Sequence, residues 1–217
     1  MLVARSMDPG WLSNAYLVAD EEGGRAVYVD AGAPLEPLRE AAERWRVEPV
    51  AVLRTHSHHD HVAHEDELGL PVRTDSLTEG GLRVEAIPTP GHSDDMIAFV
   101  VNDEVVFTGD TLFKDSVGGG DYEQVRHSVM EVLLALPDQL RALPGHTDET
   151  TIGREREQNP FVRYWRGLDA GTERCRVGGE DATLVVWSPD YDGKGKGLVR
   201  FDDGREAIVG GSRVERG

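Results

Sequence analysis

Five of the chain's eight histidines fall between positions 56 and 64, and the heart of that segment reads Thr55-His56-Ser57-His58-His59-Asp60-His61. So dense a run of imidazole and carboxylate narrows what the surrounding chain can build. The fold must present it where the side chains share a partner. A lone histidine is ordinarily a surface or core residue, but four donors within six residues (His56, His58, Asp60 and His61) are an unusual concentration. In an extended segment His56 and His58 point to the same side and can share one cation. If the chain then curls into a helix at Asp60, that carboxylate and His61 face a second, neighbouring cation. Imidazole with carboxylate suits Zn²⁺, or Fe²⁺ or Mn²⁺ where oxygen donors are more numerous.

The segments around the cluster predict a layered α/β core. Residues 12–19, 26–30, 50–54, 84–87, 96–101 and 105–108 read as short strands, several bounded by glycine-rich or acidic turns. Residues 34–46 read as a helix, with Leu35, Leu38, Ala42 and Trp45 at spacings of three and four and Pro34 near its start. Residues 122–136 read as a second helix, with an apolar stripe through Val125, Val129, Val132, Leu133 and Leu136. Strands and helices interleaved in this way form layered α/β cores. The histidine cluster follows directly from the apolar strand at 50–54, a rigid place from which to hold ligands.

The last quarter has a different character. From Thr172 onward the pattern is short β runs at 183–187, 198–201 and 207–209, punctuated by Asp192-Gly193-Lys194-Gly195-Lys196-Gly197 and by Gly210-Gly211. Charge changes as well. The whole chain carries 23 Lys and Arg against 40 Asp and Glu, whereas residues 170–217 hold 8 against 9. The division expected is a main domain over 1–169 and a small β-rich module of three to five strands over 170–217. A module that short is marginal alone and is expected to pack on the main domain. Trp187, Tyr191 and Phe201 would form its core or a binding face.

A net charge of −17 disfavours nucleic acid and anionic membrane as partners. The longest purely apolar run, residues 96–101, is too short to span a bilayer, and residues 1–8 carry no long apolar stretch of the secretory kind. With Cys175 as the single cysteine, internal disulfides and cysteine-rich metal cages are excluded. The expectation is a cytoplasmic protein acting on a small molecule. A homodimer is the base-rate assembly.

Three distant segments repeat one arrangement, an apolar run, then glycine, then a possible ligand. They are Pro88-Thr89-Pro90-Gly91-His92, Phe107-Thr108-Gly109-Asp110 and Leu143-Pro144-Gly145-His146. Taken in order with Thr55–His61, Thr108–Phe113, Ser116-Val117-Gly118 and Asn159-Pro160-Phe161, they make the chain, over about residues 3–165, resemble the metallo-β-lactamase-fold hydrolases. Within these it is most similar to the glyoxalase II branch and its short bacterial relatives.

The resemblance implies a four-layer αβ/βα sandwich, with the β-rich tail as an appendage. It implies a first metal site of His56, His58 and His92, a second of Asp60, His61 and His146, with Asp110 bridging both and hydroxide between the metals. Two divalent ions, zinc foremost and iron or manganese as alternatives, would then serve hydrolysis of a thioester or related ester, with Asp60 and Asp110 as the catalytic carboxylates. Asp60 would orient the nucleophile and carry a proton to the leaving group. Lys114, Tyr122 and Arg126 are candidate substrate contacts. The stretch 114–122 carries glycine where glyoxalase II has a basic glutathione contact, and a β-rich tail stands where that enzyme has a helical domain, so glutathione specificity is not expected. Persulfide dioxygenases resemble the chain as well, with one iron on the equivalents of His56, His92 and Asp110, and lactonases share the motif. His59 and His64 are expected beside the site or at the surface, and His127 carries no motif support.

Overall fold

A computed structural model describes all of residues 1–217. Two sheets stack face to face. The first contains β1 (Leu2–Met7), β2 (Asn14–Ala19), β3 (Arg25–Val29), β4 (Glu48–Leu53) and β5 (Val72–Arg73), hydrogen-bonded in that order. The second runs β13-β12-β9-β8-β7-β6, from β6 (Leu77–Glu79), β7 (Leu82–Pro88), β8 (Ile97–Val101) and β9 (Val105–Gly109) to β12 (Arg141–Pro144) and β13 (Thr150–Thr151). Between β9 and β12 a hairpin of β10 (Leu112–Phe113) and β11 (Ser116–Val117) interrupts the chain. Pairing is parallel for β3–β4, β4–β5 and β9–β12, and antiparallel elsewhere in the two sheets.

Side-chain alternation explains the layering. β2 is buried at every position, as a strand covered on both faces must be. Its Tyr16 and Val18, with Val27, Val29, Ala51 and Leu53, meet Phe99, Val101, Val105, Phe107 and Leu143 of the second sheet. The intervening residues Ala15, Leu17, Ala26, Tyr28 and Val52 point the other way, onto Leu38, Ala41 and Ala42 of α1 (Glu36–Trp45). Helix α1 begins later than the sequence suggests, with Leu35 outside it and Pro37 in its first turn. Arg46 in the left-handed conformation ends it. Two single-turn helices, α2 (His59–Val62) and α3 (Glu65–Leu68), follow β4.

The outer face of the second sheet supports α4 (Tyr122–His127), α5 (Ile152–Gln158) and α6 (Pro160–Trp165). Asp121 caps α4 by accepting from the Gln124 amide. The long helix expected over 122–136 is not uniform: it widens to a π turn at Ser128–Val132 and tightens to a 3₁₀ turn at Leu133–Ala135. The change of pitch buries Leu134 beside Val125, Val129 and Leu133, and leaves Val132 only half-buried. Asn159 ends α5 and begins α6. Its side chain accepts from the Phe161 and Val162 amides and donates to the Ser116 carbonyl at 2.9 Å.

The tail forms β14 (Glu173–Val177), β15 (Glu180–Ser188), β16 (Lys196–Phe201), β17 (Glu206–Gly210) and β18 (Val214–Arg216), an antiparallel sheet in the order β17-β16-β15-β14-β18. A bulge at Val185 lets β15 serve two cores. Leu184 joins Cys175, Val199 and Phe201 on one face. Val185 and Val186, with Leu198 and Ile208, join the cluster under α4, α5 and α6. The architecture is thus the expected α/β sandwich of helix, sheet, sheet and helix, with a five-stranded sheet packed on its second helical layer. No helix is long and apolar enough to cross a membrane.

Candidate metal centre

At one edge of the sandwich the segments leaving four strands converge. The segment after β4 brings in His56 and His58 and then, through α2, Asp60 and His61. The loop between β7 and β8 brings His92, the turn after β9 brings Asp110, and the end of β12 brings His146. Their donor atoms form two overlapping groups, His56–His58–His92 and Asp60–His61–His146, and a third, His56–His61–Asp110, that joins them. The seven residues that resemblance singled out are therefore neighbours.

Most of the spacings suit donors that share a cation. The Asp110 carboxylate lies 3.4 Å from His61 Nε2, 3.3 Å from His146 Nε2 and 3.5 Å from His92 Nε2. Asp60 lies 3.4 Å from His146 Nε2 and 3.6 Å from His61 Nε2. Two donors each about 2.0–2.1 Å from one tetrahedral cation stand about 3.3 Å apart. His58 Nδ1 sits 3.0 Å from both His56 Nε2 and His92 Nε2. His61 Nε2 and Asp110 Oδ1 are fully buried without a hydrogen-bond partner, a costly condition that a shared cation removes. The donor set fits divalent metal.

The far side of each ring is held, which fixes which nitrogen faces inward. His92 Nδ1 donates to the Gly119 carbonyl and His146 Nδ1 to the Leu12 carbonyl, both at 2.9 Å. His61 Nδ1 donates to Asp30 at 2.8 Å. Asp30 also accepts from the amide and hydroxyl of Thr55, leaving that hydroxyl to accept from His56 Nδ1 at 3.1 Å. His58 is the exception, and turns its Nδ1 inward. Asp30 adopts a left-handed backbone (φ 56°), as does Thr147 (φ 70°) directly after His146. For a β-branched residue such as Thr147 that is a strained conformation, of the kind that gathers at functional sites.

Electrostatics sorts the imidazoles. Burial, reinforced by the charge of His61, pushes His56 down to about 4. Burial also opposes charge on His61 and His146, yet neighbouring carboxylates outweigh it. Asp110 and Asp30 raise His61 to about 9, and Asp110 and Asp60 raise His146 to about 10. Asp110 is held well below the usual carboxylate range: its full burial is overcome by His61, His146 and His92.

Lys114 lies on the β10–β11 turn and lines a cavity beside the cluster, whereas Tyr122 and Arg126 line a different one, against α6 and the C-terminal sheet. Tyr122 donates its hydroxyl to Glu206 and accepts from Trp165 Nε1, so its polar end is already engaged. His64 pairs with Glu67, and His59 meets the ring of Trp11 edge-on.

Four further contributors were not among the candidate site residues, although Tyr191 was expected in the core or binding face of the C-terminal module. Asp30 orients His61. Asn14 and Tyr16 on β2 reach across to donate to the Pro144 carbonyl, at 3.0 and 2.7 Å. Tyr191, from the β15–β16 loop, stacks on the His146 ring at 3.9 Å and 9°. Asp30 left a trace as the polar residue ending a buried strand that precedes the histidine strand.

The model of the metallo-beta-lactamase superfamily matches residues 8–68 and 63–147. The hydroxyacylglutathione hydrolase GloC of Haemophilus influenzae is 29% identical over 196 residues, covering 69% of this chain and 92% of that protein. Among solved structures, ETHE1 from Myxococcus xanthus superposes with a TM-score of 0.64 at 28% identity over 75% of this chain and 84% of the other. TTHA1623 in a di-iron-bound form gives 0.59 at 31% identity over 72% and 98%. The matched segments contain all seven clustered residues, so the chain belongs to the metallo-beta-lactamase superfamily.

Proposed function

We propose that the protein is a binuclear metal-dependent hydrolase of a small acyl thioester or related ester, lactones included. One observation carries the reading: Asp110 stands within 3.5 Å of imidazole nitrogens from both donor groups, His92 on one side and His61 and His146 on the other. A carboxylate so placed suits a bridge between two cations. His56, His58 and His92 would hold one, and Asp60, His61 and His146 the other. Two such ions supply Lewis acidity and an ionised water near neutral pH when bound. The di-iron form of TTHA1623 and the name of GloC support the reading; zinc is the metal proposed first, with iron or manganese next.

The chain's own groups complete the chemistry. Asp60 retains a side-chain exposure of 27%, against 5% for Asp110, so it alone of the two carboxylates faces arriving substrate. It orients water for attack and then delivers a proton to the departing group. A thiolate leaves readily and asks little of that acid. Glutathione is not the proposed carrier, because the stretch 114–122 carries glycine at the position where the basic contact is expected and a β-sheet occupies the place of a helical domain.

The test is metal analysis of protein purified anaerobically without added metal, paired with assays of thioester cleavage and of persulfide-dependent O₂ uptake. About two metals per chain with thioester cleavage is the expected result. About one iron with persulfide-dependent O₂ uptake would overturn it in favour of a mononuclear oxygenase on His56, His92 and Asp110. His58→Ala should lose one metal and at least about a hundredfold in turnover, since ligand loss exceeds the 10–100-fold cost of losing a supporting contact.

A further inference from the structure

Beside His146 opens a cavity of about 310 Å³ whose wall is completed by the loop between β15 and β16. We infer that this loop makes the cavity a substrate-arm subsite, selecting an apolar or aromatic group that carries a single negative charge. The inference rests on the hydrolase reading for the chemistry and on independent geometry for the selectivity.

The loop is built rigidly. Lys196, buried at its base, donates to the Val117 carbonyl at 2.8 Å and pairs with the buried Asp190 carboxylate at 3.2 Å. Ser188 donates to the Asp115 carbonyl. Gly195 has φ +77°, and a Cβ there would meet the Trp187 ring at 2.3 Å, so the turn closes only around glycine. Tyr191 is thereby held flat on His146 with 36% of its surface exposed. Of the six large apolar or aromatic side chains left exposed, Met7 and Tyr191 line this cavity, and Trp11 abuts His59 at the edge of the histidine cluster. Exposed apolar groups gathered beside a candidate catalytic centre mark a surface for an apolar ligand.

Charge sets the other requirement. The three carboxylates of the lining are each matched: Asp115 by Arg154, Asp148 by Arg5, and Asp190 by Lys196. Lys114, the one basic residue of the lining, has no carboxylate within 4.0 Å. It offers one uncompensated positive charge, enough for one carboxylate and too little to offset a nucleotide's several phosphates on a chain of net charge −17. Residues 148–217, which supply Asp148, Pro189, Asp190 and Tyr191 to this wall, lie outside the superfamily match.

The experiment compares acetyl, phenylacetyl and 4-carboxyphenylacetyl thioesters of N-acetylcysteamine, and phenylacetyl-coenzyme A, on the metal-loaded full chain. Binding of non-hydrolysable 4-carboxyphenylacetamide is followed in parallel by NMR titration on metal-loaded and metal-stripped protein. The expected order places 4-carboxyphenylacetyl about tenfold below acetyl in KM, with the coenzyme A thioester poorest. Tyr191→Ala should remove the preference for the ring and Tyr191→Phe preserve it, while Lys114→Ala should remove the preference for the carboxylate, each at unchanged metal content. The inference is overturned if both preferences survive in the alanine variants, if Tyr191→Phe behaves as Tyr191→Ala, or if the coenzyme A thioester is favoured. If the amide binds with the expected variant pattern but no thioester is cleaved, the hydrolase reading falls and the subsite stands. Cleavage indifferent to both positions gives the reverse.

Discussion

Each imidazole around the candidate centre is committed to a role by what holds its outer nitrogen, and its protonation follows. In metal-free protein His61 and His146 keep their protons well above neutrality, to about 9 and about 10, because the carboxylates around them outweigh burial. A raised value in the folded state stabilises the fold below the ordinary histidine value of 6.5 and ceases to do so as pH climbs through 9 to 10. The melting temperature in chelator is therefore expected to fall between pH 6.5 and 10, and the metal-loaded form to lack that decline. The same protons must leave when a cation arrives. Zinc loading at pH 7.5 in weak buffer should release about two protons per chain from His61 and His146, and one more from the water that ionises between the metals; release of none would contradict the assignment of His61 and His146 as ligands. Asp30→Ala removes the partner of His61 Nδ1 and of Thr55, which in turn holds His56, and metal affinity should drop about 10–100-fold by titration against a chelating dye.

Glycines make the elements around the site possible, and they explain why part of it was readable beforehand. A Cβ at Gly145 would stand 2.2 Å from Asp110 Oδ1 and 2.7 Å from the His61 ring, and one at Gly32 would stand 1.6 Å from the Asp60 carbonyl. At Gly145 the glycine of the recurring pattern is thus a packing requirement, since backbone there passes against ligands from other segments, while Gly109 passes against Met96 and Thr55 and Gly91 against the backbone of α4. Gly145→Ala should displace Asp110 and lower metal content by more than half in elemental analysis, with the far-ultraviolet circular dichroism unchanged. The strands β2, β3 and β9 were equally legible, as short, mostly apolar runs that end up buried at nearly every position. The helix over 122–136 was not fully so: its widening at Ser128–Val132 answers to the sheet beneath, and Ser128 donates to the Pro90 carbonyl there. Nor could spacing reveal Asn14, Tyr16 or Tyr191, whose partners lie on strands and loops remote in sequence.

At the scale of the whole molecule the C-terminal sheet is not a detachable ornament. Val185, Val186, Leu198 and Ile208 complete the same apolar cluster as α4, α5 and α6, and Glu206 accepts from Tyr122 and Tyr164 across the junction. Truncation after residue 169 should strip that cluster of one wall, and the full chain should melt in a single calorimetric transition. Two separate transitions would show the sheet to be energetically independent. The seven clustered residues all lie between positions 56 and 146, whereas the aromatic plate over His146 arrives from position 191 on a loop anchored to its own sheet. The clustered histidines and carboxylates and the aromatic plate over them are thus written on separate stretches of chain. The loop can be lengthened, shortened or recut by mutation while every metal-facing side chain stays in place, so a lineage carrying this sheet can explore new substrates without reinventing its chemistry.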